Sequence, residues 1–505
     1  MVKRKKTKSR PTQKPKKNSG FPNPKPVFFA KKPLSPIHAE GEIKLRKQVQ
    51  NLSYVFNPSS IAIVGASRNP SKIGNAILRN LIHGGYSGQI YPINPNADIV
   101  ENLRAYPSLS QVGKKIDCAI ICIHAKDVPH ALQQAAGAKI PSAVIISGGF
   151  AEIGNVHGEM QIKQIANKHD MAVIGPNCMG VLNPQNKVDS VFLPLHKMGR
   201  PGAGSISFIS QSGAVGGCIV DLAGAQRVGM AKFISYGNGT VINETDLLSY
   251  LMHDEKTKSI ISYIEGVNNG REFMHAASSL TRKKPLVVLK AGKTSAGSQA
   301  ARSHTASLSG SAEVFSAAME QCGAIQAQNL EELFDLAKIF EIPAFLGSKI
   351  AVLTNGGGNG VLAADAIERE HLRPSIFSAK TIKQLKKILP PTAHALNPLD
   401  IIGDADSARY EACLQLLLED ENVDAIVAIA LMQTASLDSS IVNVIARAAH
   451  SGKKPIIVVS TGGEYTQLHK KILDDYGVPT FDSPSSAISA LAKALKYNIY
   501  KHTKP

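Results

Sequence analysis

The chain has 505 residues, 57 Lys and Arg against 39 Asp and Glu, a formal net charge of +18 and 43% hydrophobic residues. That length holds about three domains of roughly 150 residues, and the apolar content excludes a wholly disordered chain. No run approaches the ~20 apolar residues of a membrane span, and no apolar leader precedes a small-residue cleavage site, so the expectation is no membrane attachment and a cytoplasmic protein. Cys118, Cys122, Cys178, Cys218, Cys322 and Cys413 form no CxxC pair. Neither a disulfide framework nor a metal site is therefore expected.

The charge is uneven. Residues 1–50 hold 15 Lys or Arg and two Glu, a local charge of +13 that leaves only +5 for the other 455 residues. The opening stretch MVKRKKTKSRPTQKPKKNSGFPNPKP is rich in Lys and Pro and has no apolar periodicity, so residues 1–48 read as a disordered basic tail. Two roles fit it: a solvated extension, or an arm that holds nucleic acid or an acidic partner through residues 1–35.

From about residue 55, short runs rich in Val, Ile and Ala alternate with amphipathic stretches. IAIVGAS (61–67), GQIYPINP (88–95), CAIICIHA (118–125), SAVIISGG (142–149) and MAVIGPN (171–177) each end in a small or turn-forming residue. That is how buried parallel strands feeding loops read, and AILRNLIHGG (76–85) and VPHALQQAAG (128–137) fit the helices between them. The pattern restarts at GSISFISQSG (204–213) and again at KIAVLTNGGGNG (349–360), with Pro/Gly-bearing breaks near 195–203 and 343–348. The expected fold class is α/β, with three consecutive doubly wound parallel-sheet domains over 49–197, 203–343 and 348–500.

Ligands of such sheets bind beyond the carboxyl ends of the strands. In GASRNPSKIG (65–74), Gly65 permits a tight turn, Ser67 offers a hydroxyl, Lys72 a charge, and the following helix its free N–H groups, which suits a nucleotide-type ligand or simply a polar turn. SQSGAVGG (210–217), with Ser210, Ser212 and Gly213, and TNGGGNG (354–360) repeat the device. KAGKTSAGSQAARSHTASLSGSAEVF (290–315) is so rich in small residues that a mobile or closely packed loop is expected. His304 within it is a candidate phosphoryl acceptor or a surface histidine. Glu265, ending the strand SIISYIEGV (259–267), is a candidate partner for an imidazole or a surface carboxylate.

Taken in order, GASRNP…KIG, GYSGQIYPINPNA, GGFAEIG, IGPNCMGVLNP, FISQSGAVG, SYIEGV, KAGKT…SHT, TNGGGNGVLAADAIE and NPLDIIGDA (397–405) resemble the NDP-forming acyl-CoA synthetases, and most narrowly their α chains. The first two units also resemble the α subunit of succinyl-CoA synthetase. The resemblance covers about residues 50–500 and leaves out the tail. It implies a Rossmann-like domain that binds coenzyme A, followed by two flavodoxin-like domains. CoA would lie near Gly65, Ala66, Ser67, Arg68 and Lys72, near Asn94, Pro95 and Asn96, and near Ser147, Gly148 and Gly149, with Asn177 of IGPNCMG at the thioester end. It further implies His304 as the phosphohistidine, Glu265 as its supporting carboxylate, and Ser212 and Gly213 at the helix N-terminus that holds the phosphoryl group.

The implied reaction converts acyl-CoA, phosphate and ADP into carboxylic acid, CoA and ATP through acyl phosphate and phosphohistidine. The family's ATP-grasp module, which carries ADP/ATP and Mg, has no counterpart here, so a separate ATP-grasp β chain in a hetero-oligomer is expected; a homodimer is the other assembly considered. The chain departs from the family at Ala306, Ala312, His124 and Asn359. The alternative is a non-catalytic CoA- or acyl-CoA-binding regulatory protein with a polyanion-binding tail.

Overall fold

The computed structural model describes residues 46–305 and 311–503, without the side chains of 301–305. The basic tail, with its expected disorder and its nucleic-acid or acidic partner, lies outside the described residues up to position 45, as does Ala306. The last tail residues differ from expectation, because a short helix, Lys47–Gln50, starts within them. Burial of Gln48 and Val49 and an Arg46–Asp246 ion pair of 2.5 Å hold it to the body.

Three sheets follow one another. In the first, strands Gln89–Ile93, Ser60–Val64, Cys118–Ile121, Ser142–Ile145 and Ala172–Ile174 lie side by side, all parallel. Numbered within the unit, their order is 2-1-3-4-5. Every residue of the first, third and fourth of these in chain order is buried, as a strand covered on both faces requires. The second unit repeats the order with Met230–Ser235, Ala203–Ser210, Ser259–Ile264, Leu286–Lys290 and Ile325–Ala327. The third does so with Arg373–Pro374, Lys349–Thr354, Ala425–Ile429, Ile456–Val459 and Thr480–Phe481, while Leu399–Asp400 also pairs with Lys349–Thr354. The order reverses beside the first strand of each unit, so each has a crevice there.

One connection departs from the simple repeat. Strands Val181–Asn183 and Val188–Asp189, which follow the first sheet, form a hairpin that joins the second sheet, antiparallel to Met230–Ser235 through Phe233–Leu182 and Ile234–Val181. This carries the loop 174–180 from the end of the first sheet onto the end of the second. The closing helix, Pro484–Thr503, ties the third unit to the second: the Tyr497 hydroxyl donates to Thr281 O (2.9 Å), and Asn498 Nδ2 donates to Phe345 O (3.0 Å). No helix among the described residues is long and apolar enough to cross a membrane.

Candidate functional site

The turn after Ser60–Val64 is set by close approach. Gly65 has φ +100°, and a Cβ there would lie 2.6 Å from Cys122 O. Gly74, in the first turn of the helix Ile73–His83, comes so near that its Cβ would lie 2.0 Å from Gly65 O. The two glycines thus press that helix's N-terminus onto the strand end, and no side chain caps it. Its first N–H groups remain available to an anion, with Lys72 exposed beside them. Asn94 Nδ2 donates to Ala66 O (2.7 Å) and Asn94 Oδ1 accepts from Asn96 N (2.7 Å), so this side chain knits the 65–68 and 94–96 loops together. Pro95, Asn96 and Arg68 stay exposed on the rim, and the Ser67 hydroxyl accepts from Asn69 N (3.1 Å).

Ser147, Gly148 and Gly149 close the same edge. The Ser147 hydroxyl donates to Ile123 O (2.5 Å), and Asn177 N donates to Ser147 O (2.9 Å), which joins this loop to the 174–180 loop. Glu152 accepts from Gly149 N (2.5 Å) and Phe150 N (3.2 Å), and Asn238 Nδ2 donates to both Glu152 (2.7 Å) and Glu159 (2.9 Å). Burial alone would raise the Glu152 pKa, but the Asn238 amide and these backbone donors outweigh it and hold the carboxyl below its ordinary value.

A cleft of 840 Å³ opens where the first two sheets meet. It is lined by Asn177 from the 174–180 loop, by Ser212 and Gly213 at the start of the helix Gly213–Gln226, and by Glu265 at the end of Ser259–Ile264. Ile73 and Ile146, next in the chain to Lys72 and Ser147, line its near side. The structure therefore gathers Asn177, Ser212, Gly213 and Glu265 into one cavity, and sets Gly65–Arg68, Lys72, Asn94–Asn96 and Ser147–Gly149 on the adjoining strand ends.

Glu265 is 4% exposed. Gln211 shapes its turn: Gln211 Oε1 accepts from Glu265 N (2.8 Å) and Gly266 N (3.2 Å). From behind, Lys290 Nζ donates to Glu265 O (2.7 Å). Burial lowers the Lys290 pKa against the pull of the Glu265 charge, with Lys293 adding to the lowering. Tyr263 is pushed up to about 12 by burial and then by the Glu265 carboxylate, which also hydrogen-bonds it. Gln211, Lys290 and Asn238 escaped the sequence reading. The local signal for Gln211 is its place between Ser210 and Ser212, in the loop that follows a buried strand. Ser212 itself is engaged as a cap, its hydroxyl accepting from Val215 N (3.3 Å).

The segment expected as a mobile or closely packed loop is largely helical. Ser295–Thr305 and Ala312–Gln321 are helices, because the small residues include Ala and Gln, which favour helix, and because Thr294 accepts from Gly297 N (3.1 Å) and Ser298 N (2.7 Å). Ala312 opens the second of these after Ser311, whose hydroxyl accepts from Val314 N (3.4 Å). The first packs against Ala151–Ile153, and Ala151 lines the cleft. His304 belongs to that helix, and its side chain lies outside the described atoms. The third glycine loop also opens an uncapped helix, Gly357–Arg369, with Asn359 in its first turn.

Asn268 at the cleft wall neighbours Glu244, which is 3% exposed. Burial pushes the Glu244 carboxyl up to about 7, its own and the Asn268 backbone N–H groups oppose this, and Asp246 adds to the rise. The folded protein thus holds a proton that the unfolded chain releases near pH 4.5, so this group's contribution to stability declines as pH rises from 4.5 to about 7. At pH 8, Glu244→Gln is expected to exceed the parent in unfolding free energy by on the order of 2–3 kcal/mol, and the gap should close below pH 4.5. Urea unfolding of both proteins across this range checks the sign.

Family models match the chain in three blocks: a CoA binding domain at 59–184, a succinyl-CoA ligase like flavodoxin domain at 203–340 and a ligase-CoA domain at 350–502. The chain is 37% identical to subunit alpha of ADP-forming acetate–CoA ligase II from Pyrococcus furiosus, over 88% of this chain and 97% of that one. It is 39% identical to the ADP-forming acetate–CoA ligase of Methanocaldococcus jannaschii, over 89% of this chain but only 64% of that one. A solved structure of dinucleotide forming acetyl-coenzyme A synthetase 1 from Ca. Korarchaeum cryptofilum, in complex with phosphate and ADP, superposes with a TM-score of 0.83 at 34% identity, covering 89% of this chain and 97% of that one. The chain belongs to the NDP-forming acyl-CoA synthetases and is of their α type.

Proposed function

We propose that this α-type chain is one component of an ADP-forming acid–CoA ligase, and that it carries the steps from acyl-CoA to phosphohistidine. The observation that carries the reading is the 840 Å³ cleft, which sets Glu265, the helix N-terminus at Ser212–Gly213 and the Asn177 loop together, beside the helix that bears His304. Coenzyme A fits the adjoining edge, where the uncapped helix after Lys72 and the polar rim of Ser67, Arg68, Asn96 and Gly148 suit its phosphates.

Inorganic phosphate attacks the thioester carbonyl; the C–S bond breaks, CoA leaves as the thiol, and acyl phosphate forms. The His304 imidazole then takes the phosphoryl group and the carboxylate departs. Ser212–Gly213 present backbone N–H groups and the positive end of a helix dipole to the phosphoryl oxygens. Glu265, held by Gln211 and Lys290, orients the imidazole and stabilises its developing positive charge. ADP, ATP and Mg belong to a separate ATP-grasp chain in a hetero-oligomer, in the cytoplasm. The match to almost the whole of a named alpha subunit, and to only 64% of a relative named as the ligase without a subunit designation, supports that division.

Mixing the full chain with an ATP-grasp chain, Mg, ADP, phosphate and acetyl-CoA is expected to form ATP, with neither chain sufficient alone. CoA binding without any turnover in the reconstituted mixture would contradict this reading and favour a regulatory one.

A further inference from the structure

An amide of the second unit reaches across the cleft wall into the first. Asn238 follows the strand Met230–Ser235. Gly237 before it has φ +55°, and a Cβ there would lie 2.3 Å from both Pro176 O and Asn177 O, so this turn is pressed onto the 174–180 loop. Asn238 N donates to Pro176 O (3.0 Å), and its Oδ1 accepts from Asn177 Nδ2 (3.3 Å). Its Nδ2 then crosses to the first unit and donates to Glu152 Oε2 (2.7 Å) and Glu159 Oε2 (2.9 Å).

Those carboxylates hold three successive backbone N–H groups. Glu152 Oε1 accepts from Gly149 N (2.5 Å) and Phe150 N (3.2 Å), and Glu159 Oε2 accepts from Ala151 N (3.1 Å). Gly149 has φ +106°. Successive N–H groups that converge in such a turn make an anion nest, and here the chain's own carboxylates fill it. The turn leads directly into Ala151–Ile153, against which the helix bearing His304 packs. Both carboxylates bond to the same nitrogen, so their charges face each other and repel. The Asn238 amide has a hydrogen for each and lets both keep their hold on the turn. Ala151, Glu159, Asn177 and Asn238 all line the cleft.

We infer that Asn238 is a positioning residue for phosphoryl transfer: by bridging Glu152 and Glu159 it fixes the turn at 149–153, and through that turn the helix that carries His304. The inference rests on the acid–CoA ligase reading above and adds the group through which the second unit sets the first unit's turn. Transfer to an imidazole depends on its placement relative to the acyl phosphate, so a loosened seat slows the step without touching the reacting atoms.

Exchanging donor and acceptor tests this. Asn238→Asp sets oxygen against oxygen, and Glu152→Gln sets N–H groups against N–H groups. The double variant restores a donor–acceptor pair and keeps two carboxylates in the cluster, while the glutamine oxygen can still accept from Gly149 N. Each single variant should be phosphorylated at His304 about tenfold more slowly, with KM for ATP unmoved because ATP belongs to the proposed ATP-grasp chain. The double variant should return to within about threefold of the parent, where independent losses would multiply to about a hundredfold. Hydrogen exchange at residues 149–151 should quicken in each single variant and slow again in the double. Should a single variant not fold, the rate of the double decides. Parental rates in both single variants, or a double variant slowed by the product of the two losses, would overturn the inference and leave the ligase reading intact. A parent chain that takes no label would overturn both.

Discussion

Gly74→Ala is expected to weaken CoA binding by at least about thirtyfold, roughly 2 kcal/mol, and to lower the thermal midpoint of the chain. The added Cβ would sit 2.0 Å from Gly65 O, a separation no relaxed contact allows. Gly65 cannot yield, because it already sits at φ +100° against Cys122 O. The helix Ile73–His83 must therefore move away from the strand end, and its free N–H groups move with it. Titration calorimetry with CoA and a melting curve check the two parts. Parental affinity in Gly74→Ala would show that this helix end does not hold the ligand.

Glu265→Gln is the second large effect. It keeps the shape and removes the charge, so the turn built on Gln211 and Lys290 survives, since those contacts are to Glu265 backbone atoms. In the proposed mechanism, loss of the carboxylate leaves the imidazolium character at His304 unsupported. Removing one such preorganised electrostatic group slows a reaction about 10²- to 10³-fold, and that is the loss expected in phosphorylation of this chain by ATP through the proposed ATP-grasp chain. The Tyr263 phenol, freed from the neighbouring charge, should ionise at lower pH, and ultraviolet titration reads this independently of turnover. A rate within threefold of the parent would remove Glu265 from the mechanism.

Much of this was legible in the sequence, for identifiable reasons. Strands such as SIAIV and CAII are buried on both faces, so they appear as apolar runs with a sharp end, and the loops that follow them carry the chemistry. VPHALQQAAG is a helix over the span its pattern marks. The hairpin of Val181–Asn183 and Val188–Asp189 was not legible. Each strand has three residues or fewer, and its pairing with Phe233 and Ile234 is a tertiary fact. Yet this hairpin is what brings Asn177 and Met179 to the helix at Gly213. The edge strand Ile325–Ala327 is equally short.

The site divides along the same line. Glu265, Ser212 and Gly213 stand out because they follow strands, which is where ligands of such sheets bind. Gln211, Lys290 and Asn238 act by holding backbone or other side chains across long sequence separations, and no local pattern marks such a role. The loop expected around His304 failed on composition. Gly and Ser suggest a mobile or closely packed loop, whereas the interleaved Ala and Gln with a Thr294 cap favour helix over Ser295–Thr305. Gly216 and Gly217 look alike in sequence, and only their neighbours, Phe233 and Met179, separate a core contact from a cleft wall.

The central claim is that the phosphoryl group passes through His304. Incubating the full chain and the proposed ATP-grasp chain with Mg and γ-labelled ATP, then locating the label by peptide mass spectrometry at alkaline pH, tests it directly. An acid-labile, alkali-stable phosphate is expected on the peptide containing His304, discharged by added carboxylic acid and CoA, with no label in His304→Ala. Label that persists in His304→Ala, or that resides on another residue of this chain, would contradict it.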